Sequence, residues 1–201
     1  MLNKPRYKTA RRLGPNVFEK TMGDKFAVRE ARRKVAKNFR PKSDYGQQMF
    51  EKQKAKVTYG VNERMFAKYV KGILDKAGAN SPDKLISILE SRLDNVIFRL
   101  GFAKTRQAAR QFVSHGHIKV NGIRITIPSY SVSVNDKISI REQSRQKPIF
   151  ATLDEKLKEQ KIPAWLSLDA VKKEAKVSAI PKLALIEVNF DPAAVLNFYS
   201  R

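Results

Sequence analysis

Arg106 and Arg110 stand four residues apart behind Thr105, a spacing that puts both guanidinium groups on one face of a helix one turn apart. Thr105 is a natural helix cap, and the first-turn amides of the helix it opens point outward as free N–H donors. Two arginines beside such a terminus make a phosphate site. Lys119 and Arg124 flank Asn121-Gly122, the strongest short hairpin signal, and are expected on the solvent side of that hairpin, opposite its isoleucines. Arg92 and Arg99 lie on a preceding helix, off its Leu93/Leu100 stripe. These side chains could grip successive phosphates of a folded polyanion. The competing reading is that they are ordinary solvated helix faces. Against it, Asp94 is the sole acid between Glu90 and Asp136, and it is expected to cap or to pair with a neighbouring arginine.

Other chemistry finds little support. His115 and His117 form a His-x-His pair on a turn, but no third metal ligand is suggested by spacing and the chain has no cysteine. A helix-end histidine touching backbone or phosphate is the better expectation. There is no Gly-rich phosphate loop, no nucleophile with a base in reach and no pair of acids in an apolar setting. Neither enzymatic activity, a cofactor nor a metal is expected.

Charge locates the partner. The 201 residues carry 41 Lys+Arg against 19 Asp+Glu, a net of +22. Such self-repulsion calls for a polyanion, either nucleic acid or an anionic membrane surface. Residues 1–42 hold 14 basic and 3 acidic side chains and residues 91–150 hold 11 and 3, whereas 43–90 hold 8 and 6 and 151–201 hold 8 and 7. Two segments therefore carry nearly all the excess, as two polyanion-facing surfaces would. No apolar run approaches the roughly 18–20 residues of a membrane span, and Met1 to Leu13 is basic with no apolar core behind it, unlike a secretory signal.

The elements that must position these residues follow from period and punctuation. Residues 1–42 read as a basic arm that orders on RNA, with one short helix near 26–38; a disordered tail is the alternative. Ser43 caps a helix over 44–56 that Gly60 ends. Asn62 caps the next, with Phe66, Tyr69, Ile73 and Ala77 on its apolar face and Gly78 as its stop. Ser81-Pro82-Asp83 starts a third. Ser91 and Asp94 have capping-box-like spacing ahead of Leu93, Val96, Ile97 and Leu100, and Gly101 stops that helix. The Thr105 helix buries Ala108, Ala109, Phe112 and Val113. After Gly116 the period becomes two: Ile118 and Val120 pair with Ile123, Ile125 and Ile127, and a second hairpin is predicted from Val132/Val134 and Ile138/Ile140 around Asn135-Asp136. Thr152 and Glu155 cap a helix that Pro163 ends, a strand falls near 176–180, and Asp191-Pro192 caps a last helix bearing Val195, Leu196, Phe198 and Tyr199. That apolar helix needs a partner, for which the helices of 43–90 are the obvious choice.

The run Arg92-Leu93-Asp94-Asn95-Val96-Ile97-Phe98-Arg99-Leu100-Gly101-Phe102, then Thr105-Arg106, Val113-Ser114-His115-Gly116-His117-Ile118 and Val120-Asn121-Gly122, closely resembles the RNA-binding module first named for small-subunit ribosomal protein four. Ser43-Asp44-Tyr45-Gly46, Glu51-Lys52-Gln53-Lys54, Tyr59-Gly60-Val61, Ile127-Pro128-Ser129-Tyr130, Trp165-Leu166 and Phe198-Tyr199-Ser200-Arg201 resemble the bacterial-type ribosomal protein family itself. The family's Pro-Pro-Gly turn is missing before Ser43, as are the zinc-binding cysteines of some members.

The resemblance implies an α+β fold: a basic N-terminal arm (1–42), a helical domain (43–90) completed by the C-terminal helix (185–201), and an inserted small α/β RNA-binding domain (91–184) of two helices followed by antiparallel hairpins. It implies a structural, assembly-stage role binding small-subunit ribosomal RNA of the 16S type, beside neighbouring small-subunit ribosomal proteins and near the channel by which mRNA enters, with influence on translational accuracy, in the cytoplasm or an organelle matrix and with no membrane. The residues expected on RNA are Arg6, Lys8, Arg11 and Arg12 in the arm, Lys52, Lys54, Lys56, Tyr59 and Arg64 in the helical domain, and Arg92, Arg99, Lys104, Thr105, Arg106, Arg110, Gln111, Ser114, His115, Lys119, Asn121 and Arg124 in the module. The rivals are a free-standing RNA chaperone or translational repressor, and an RNA-modifying enzyme docked by this module; the latter lacks a poised acid or nucleophile after position 150.

Overall fold

A computed structural model describes residues 5–32, 43–76, 81–150, 157, 162–169 and 172–200. The chain is α+β and divides into two compact units, Met1–Leu85 with Val188–Arg201, and Ile86–Glu187.

In the first unit the basic N-terminal stretch carries more structure than the single helix expected near 26–38. Helix α1 (Arg6–Leu13) and helix α2 (Asp24–Ala31) are joined by two 3-10 turns. Ala10, Leu13, Val17 and Phe26, too scattered in sequence to register as either period, are all buried. Tyr7 stacks on Phe26 at 5.8 Å, and Thr21 donates its hydroxyl to the Pro15 and Phe18 carbonyls.

Helix α3 (Asp44–Thr58) begins where Ser43 Oγ accepts from the Gly46 amide, and α4 (Glu63–Leu74) where Asn62 Oδ1 accepts from Met65. Both caps are those read from sequence. On α4, Phe66, Val70 and Ile73 are buried and Tyr69 only half-buried, while Ala77 and Gly78 lie outside the described residues. The final helix, α9 (Pro192–Tyr199), is capped by Asp191, whose carboxylate accepts from the Ala193 amide. It packs on α3 and α4, as its apolar face required. Tyr59 meets Phe190 edge-on at 6.2 Å and Phe66 meets Tyr199 at 6.3 Å. Asn189 ties three segments together, donating to the Asn16 carbonyl (2.8 Å) and to Thr58 Oγ1 (3.1 Å).

Helix α5 (Ser81–Glu90) leads into the second unit, where α6 (Leu93–Arg99) and α7 (Arg106–Ser114) pack on each other. Leu93, Val96, Ile97, Leu100, Ala109 and Val113 are fully buried, as the 3.6-residue period required. No side chain caps α6; Arg92 occupies the cap position and Asp94 pairs with it instead of capping.

Strands β1 (Ile118–Val120), β2 (Ile123–Ile125), β3 (Lys137–Ile140), β4 (Leu166–Asp169) and β5 (Glu174–Val177) form one antiparallel sheet in the order β2-β1-β3-β5-β4. Asn121 (φ +50°) and Gly122 (φ +82°) make the left-handed two-residue turn between β1 and β2. The second predicted hairpin does not form. Both edges of β3 are taken, by β1 and by β5, so 132–134 has no edge to join; Ser131 and Val132 instead lie beside 91–92, with the Val132 amide donating to the Ser91 carbonyl. The strand expected near 176–180 falls at β5, and its partner β4 was not foreseen. Of the helix expected between Thr152 and Pro163, the described residues include only Leu157, which is helical and buried, and the end at 162–163; the rest lies outside them. A short helix α8 (Glu142–Arg145) follows β3.

The inner face of the sheet, with Ile118, Val120, Ile138, Ile140, Ala175 and Val177, is buried. The hairpin's isoleucine face is covered only in part, because β2 is an edge strand: Ile123 is 68% exposed and Ile127 60%.

Candidate RNA interface

Two acids organise the arginines around α6 and α7. Glu90, fully buried, accepts from Arg99 at both oxygens (2.9 and 2.7 Å) and from the Asn95 amide nitrogen (2.6 Å). Asn95 in turn accepts from Arg106 Nε at 2.9 Å, and the Arg106 guanidinium lies 4.3 Å from the Phe98 ring centroid. Asp94, also buried, takes a two-pronged bond from Arg92 (3.1 and 2.7 Å) and lies 3.6 Å from Arg110 Nε. Asp94 therefore holds Arg92 inside and steadies Arg110 at the surface, while Glu90 holds the part-buried Arg99 and, through Asn95, steadies Arg106. Arg92 is 3% exposed and belongs to the interior, contrary to its expected place on RNA. Arg99 is largely occupied by Glu90, while Arg106 and Arg110 are partly exposed in fixed orientations. Glu90 and Asn95 were missed from sequence; the available signal was an acid alone beside a basic stretch, where a buried arginine partner is the economical explanation.

Around this pair the structure assembles the rest of the predicted surface. Thr105 Oγ1 accepts from the Ala108 amide at 3.1 Å, capping α7 as expected. Lys104, Gln111, Ser114 and His115 are exposed. Arg124 donates to the His115 carbonyl at 3.4 Å and its guanidinium lies over Gly116. Gly116 has φ +71°, a backbone region that favours glycine, and a Cβ there would push the flexible Arg124 guanidinium aside. Lys119 is opposite Arg124 across the ribbon. Asn121 is absorbed structurally: its amide nitrogen donates to Asp136 (2.8 Å) and its oxygen accepts from the Lys137 amide (2.9 Å), fastening the hairpin tip to the following loop. His117 is buried against Phe112 and Phe150 and hydrogen-bonds Ser144 Oγ at 3.0 Å. Burial pushes its pKa down, and Lys147, His115, Arg124 and Arg141 add to the effect. Among the described residues no three His, Asp or Glu side chains gather to hold a metal, and no described helix is long and apolar enough to cross a membrane.

The helical unit behaves differently. Lys52 and Lys56, expected on RNA, are nearly buried and both donate to Glu63 (2.9 and 2.8 Å), which also accepts from Tyr199 Oη (2.8 Å). Lys52 lies 4.2 Å from the Phe198 ring centroid. Lys54 pairs with Glu51 (2.9 Å), whose other oxygen accepts from the Asp191 amide, and Tyr59 is buried. Lys52, Lys56 and Tyr59 fasten the C-terminal segment to α3 and α4, whereas Lys54 pairs within α3. Arg6, Lys8, Arg12 and Arg64 remain exposed, and Arg11 pairs with Glu30 at 2.6 Å.

Glu63 gives this cluster a pH dependence. Burial alone would raise its pKa, but the bonds from Lys56, Lys52 and Tyr199 bring it from 4.5 to about 2. A carboxylate lowered on folding stabilises the fold above its unfolded pKa, and the contribution disappears as pH falls from about 4.5 to about 2. The side chain is 48% exposed, so solvent screening holds the effect to about 1 kcal/mol. Glu63→Gln should therefore lower the Tm at pH 7, and the difference between variant and parent should close near pH 2. Thermal melts across pH 2–7 check this; a gap that stays constant would mean the lysines do not hold the carboxylate.

A helix pair followed by an antiparallel ribbon, with cations displayed along the second helix, is the S4-domain class of module. Residues 91–138 match the S4 domain family, and residues 1–90 match the ribosomal protein S4/S9 N-terminal domain. The chain is 41% identical over 198 residues to the small ribosomal subunit protein uS4 of Chloroflexus aurantiacus, covering 96% of each chain. It is 45% identical over 161 residues to uS4 of Herpetosiphon aurantiacus, covering 79% of this chain and 76% of that one. To uS4 of Mycobacterium marinum it is 41% identical over 159 residues, 79% of each. The chain belongs to the uS4 family of ribosomal proteins.

Proposed function

We propose that the chain is a structural constituent of the small ribosomal subunit that binds small-subunit ribosomal RNA of the 16S type during assembly, and is not an enzyme. The observation that carries this reading is the pair Arg106 and Arg110, partly exposed on α7 and steadied from beneath by Asn95 and by buried Asp94, in a segment with eleven cations and three acids. Such a surface reads backbone shape, because an A-form major groove excludes side chains. Lys104, Thr105, Gln111, Ser114, His115, Lys119 and Arg124 extend it, and Arg6, Lys8, Arg12 and Arg64 supply a second basic surface on the other unit. On this reading the chain works in the cytoplasm among neighbouring ribosomal proteins, near the channel by which mRNA enters, and influences translational accuracy there.

The test is binding of the purified chain to a transcript of the 5′ domain of small-subunit ribosomal RNA. With six to ten phosphate contacts, affinity should fall by roughly 10³–10⁵ between 50 and 200 mM salt. Absence of binding in dilute buffer would overturn the reading. Sedimentation separates the free-standing chaperone or repressor, since a pool missing from small-subunit fractions would favour that rival.

A further inference from the structure

The outer face of the sheet is built against its own stability. Cross-strand register places Lys119 directly opposite Arg124, and Lys137 directly opposite Lys176. Like charges directly opposite each other destabilise a sheet. None of the four pairs with a carboxylate among the described residues, whereas Arg92, Arg99 and Arg110 all lie within ion-pair distance of one. Lys119 is also opposite Ser139, two residues from Lys137, so the four cations form one diagonal stripe across β2, β1, β3 and β5. Three strand spacings of about 4.8 Å make it roughly 14 Å wide. Ser139 lies within the stripe and Ser167, opposite Lys176, at its end. The acids of this face are confined to one corner, where Asp169 is opposite Glu174 and Glu174 is opposite Ser139. The crowding of Arg124, Arg141 and Lys147 around His117 indicates the same excess of positive potential at the ribbon end.

We propose that this outer sheet face continues the α7 surface, through Arg124 and Lys119, into a further RNA-contacting surface that lies across the minor groove of a double-helical RNA segment. The reading rests on the RNA-binding function proposed above and extends it to Lys137, Lys176 and Ser139. A sheet face can enter the wide, shallow minor groove of A-form RNA, which presents 2′-hydroxyls between two rows of phosphates. Arg124, Lys119, Lys137 and Lys176 meet the phosphates. Ser139, a neutral hydroxyl among them, meets the ribose. The acidic corner bars the backbone from β4 and so fixes the diagonal along which the duplex runs.

The double variant Lys137→Gln/Lys176→Gln tests this in the full chain with the 5′-domain transcript. The slope of log K against log salt should become shallower by about two, and ribose protections on one duplex segment should disappear while the remainder persist. The free protein should melt at the same temperature or higher, since a like-charge pair has been relieved. An unchanged slope overturns the sheet surface, including the case in which this face holds an acidic protein. If Arg106→Ala and Arg110→Ala still reduce the slope, the sheet proposal alone has failed. If neither set moves it, RNA binding itself is the wrong reading. A lower Tm for the double variant would show that these lysines serve the fold.

Discussion

Glu90→Ala is expected to destabilise the second unit by about 3 kcal/mol, the low end of the range for removing one partner of a buried ion pair. The carboxylate is fully buried and receives three side-chain bonds, two from Arg99 and one from Asn95. Alanine would strand the Arg99 guanidinium and leave the Asn95 amide with only its longer bond, 3.3 Å, to the residue-90 carbonyl. Arg99 retains 21% exposure, so water relieves part of its loss, which is why the low end applies. For a unit of this size the change corresponds to a Tm drop of roughly 12 °C. The measurement can be made selective, because the chain's single tryptophan, Trp165, is fully buried in that same unit and reports its unfolding. A second effect should accompany the first: Asn95 loses the shorter of its two bonds to residue 90, and the orientation of Arg106 loosens with it. RNA affinity should fall even at temperatures where the variant is fully folded. A Tm change of less than a few degrees would mean that the carboxylate does not hold this network together.

Arg106→Ala and Arg110→Ala should each weaken binding to the 5′-domain transcript by roughly 10-fold or more, the loss of one charge-assisted hydrogen bond in each case. Each should also make the salt slope shallower by about one. Arg110→Ala should cost little stability, since Asp94 keeps its bonds from Arg92, whereas Arg106→Ala should cost about 1 kcal/mol, since it removes the guanidinium donor to the oxygen of buried Asn95. Arg106→Lys sharpens the test. It keeps the charge, and so the slope, but loses the planar fork and the stacking on Phe98, so affinity should fall with the slope unchanged. Slopes unaltered in both alanine variants would remove α7 from the interface.

Gly116 links these arguments to the fold. Its left-handed backbone ends the α7 turn, and its missing side chain leaves the room in which the Arg124 guanidinium lies. The helix surface and the outer sheet face thus meet at one residue within a single unit, as a protein gripping one folded RNA at two places would require.

Much of the architecture could be read from the amino acids because local physics governs it. Ser43, Asn62, Thr105 and Asp191 each cap a helix through an oxygen within three residues of the amide it bonds. The stripe of Leu93, Val96, Ile97 and Leu100 is a periodicity, and Asn121-Gly122 is a turn whose backbone angles those two residues tolerate best. The concentration of cations in two segments needs only counting. What the fold alone decided is which charges face outward. Arg92 and Arg110 look alike in sequence, yet one is interior and the other is not, because Asp94 turns its carboxylate between them. Lys52 and Lys56 find Glu63 and Tyr199 from the far end of the chain, β3 pairs with β5 rather than with 132–134, and Lys137 comes to stand opposite Lys176. The Tyr199–Glu63 bond and the pairing of β3 with β5 join residues remote in sequence, and the burial that decides which neighbouring charges pair exists only once the chain has closed on itself.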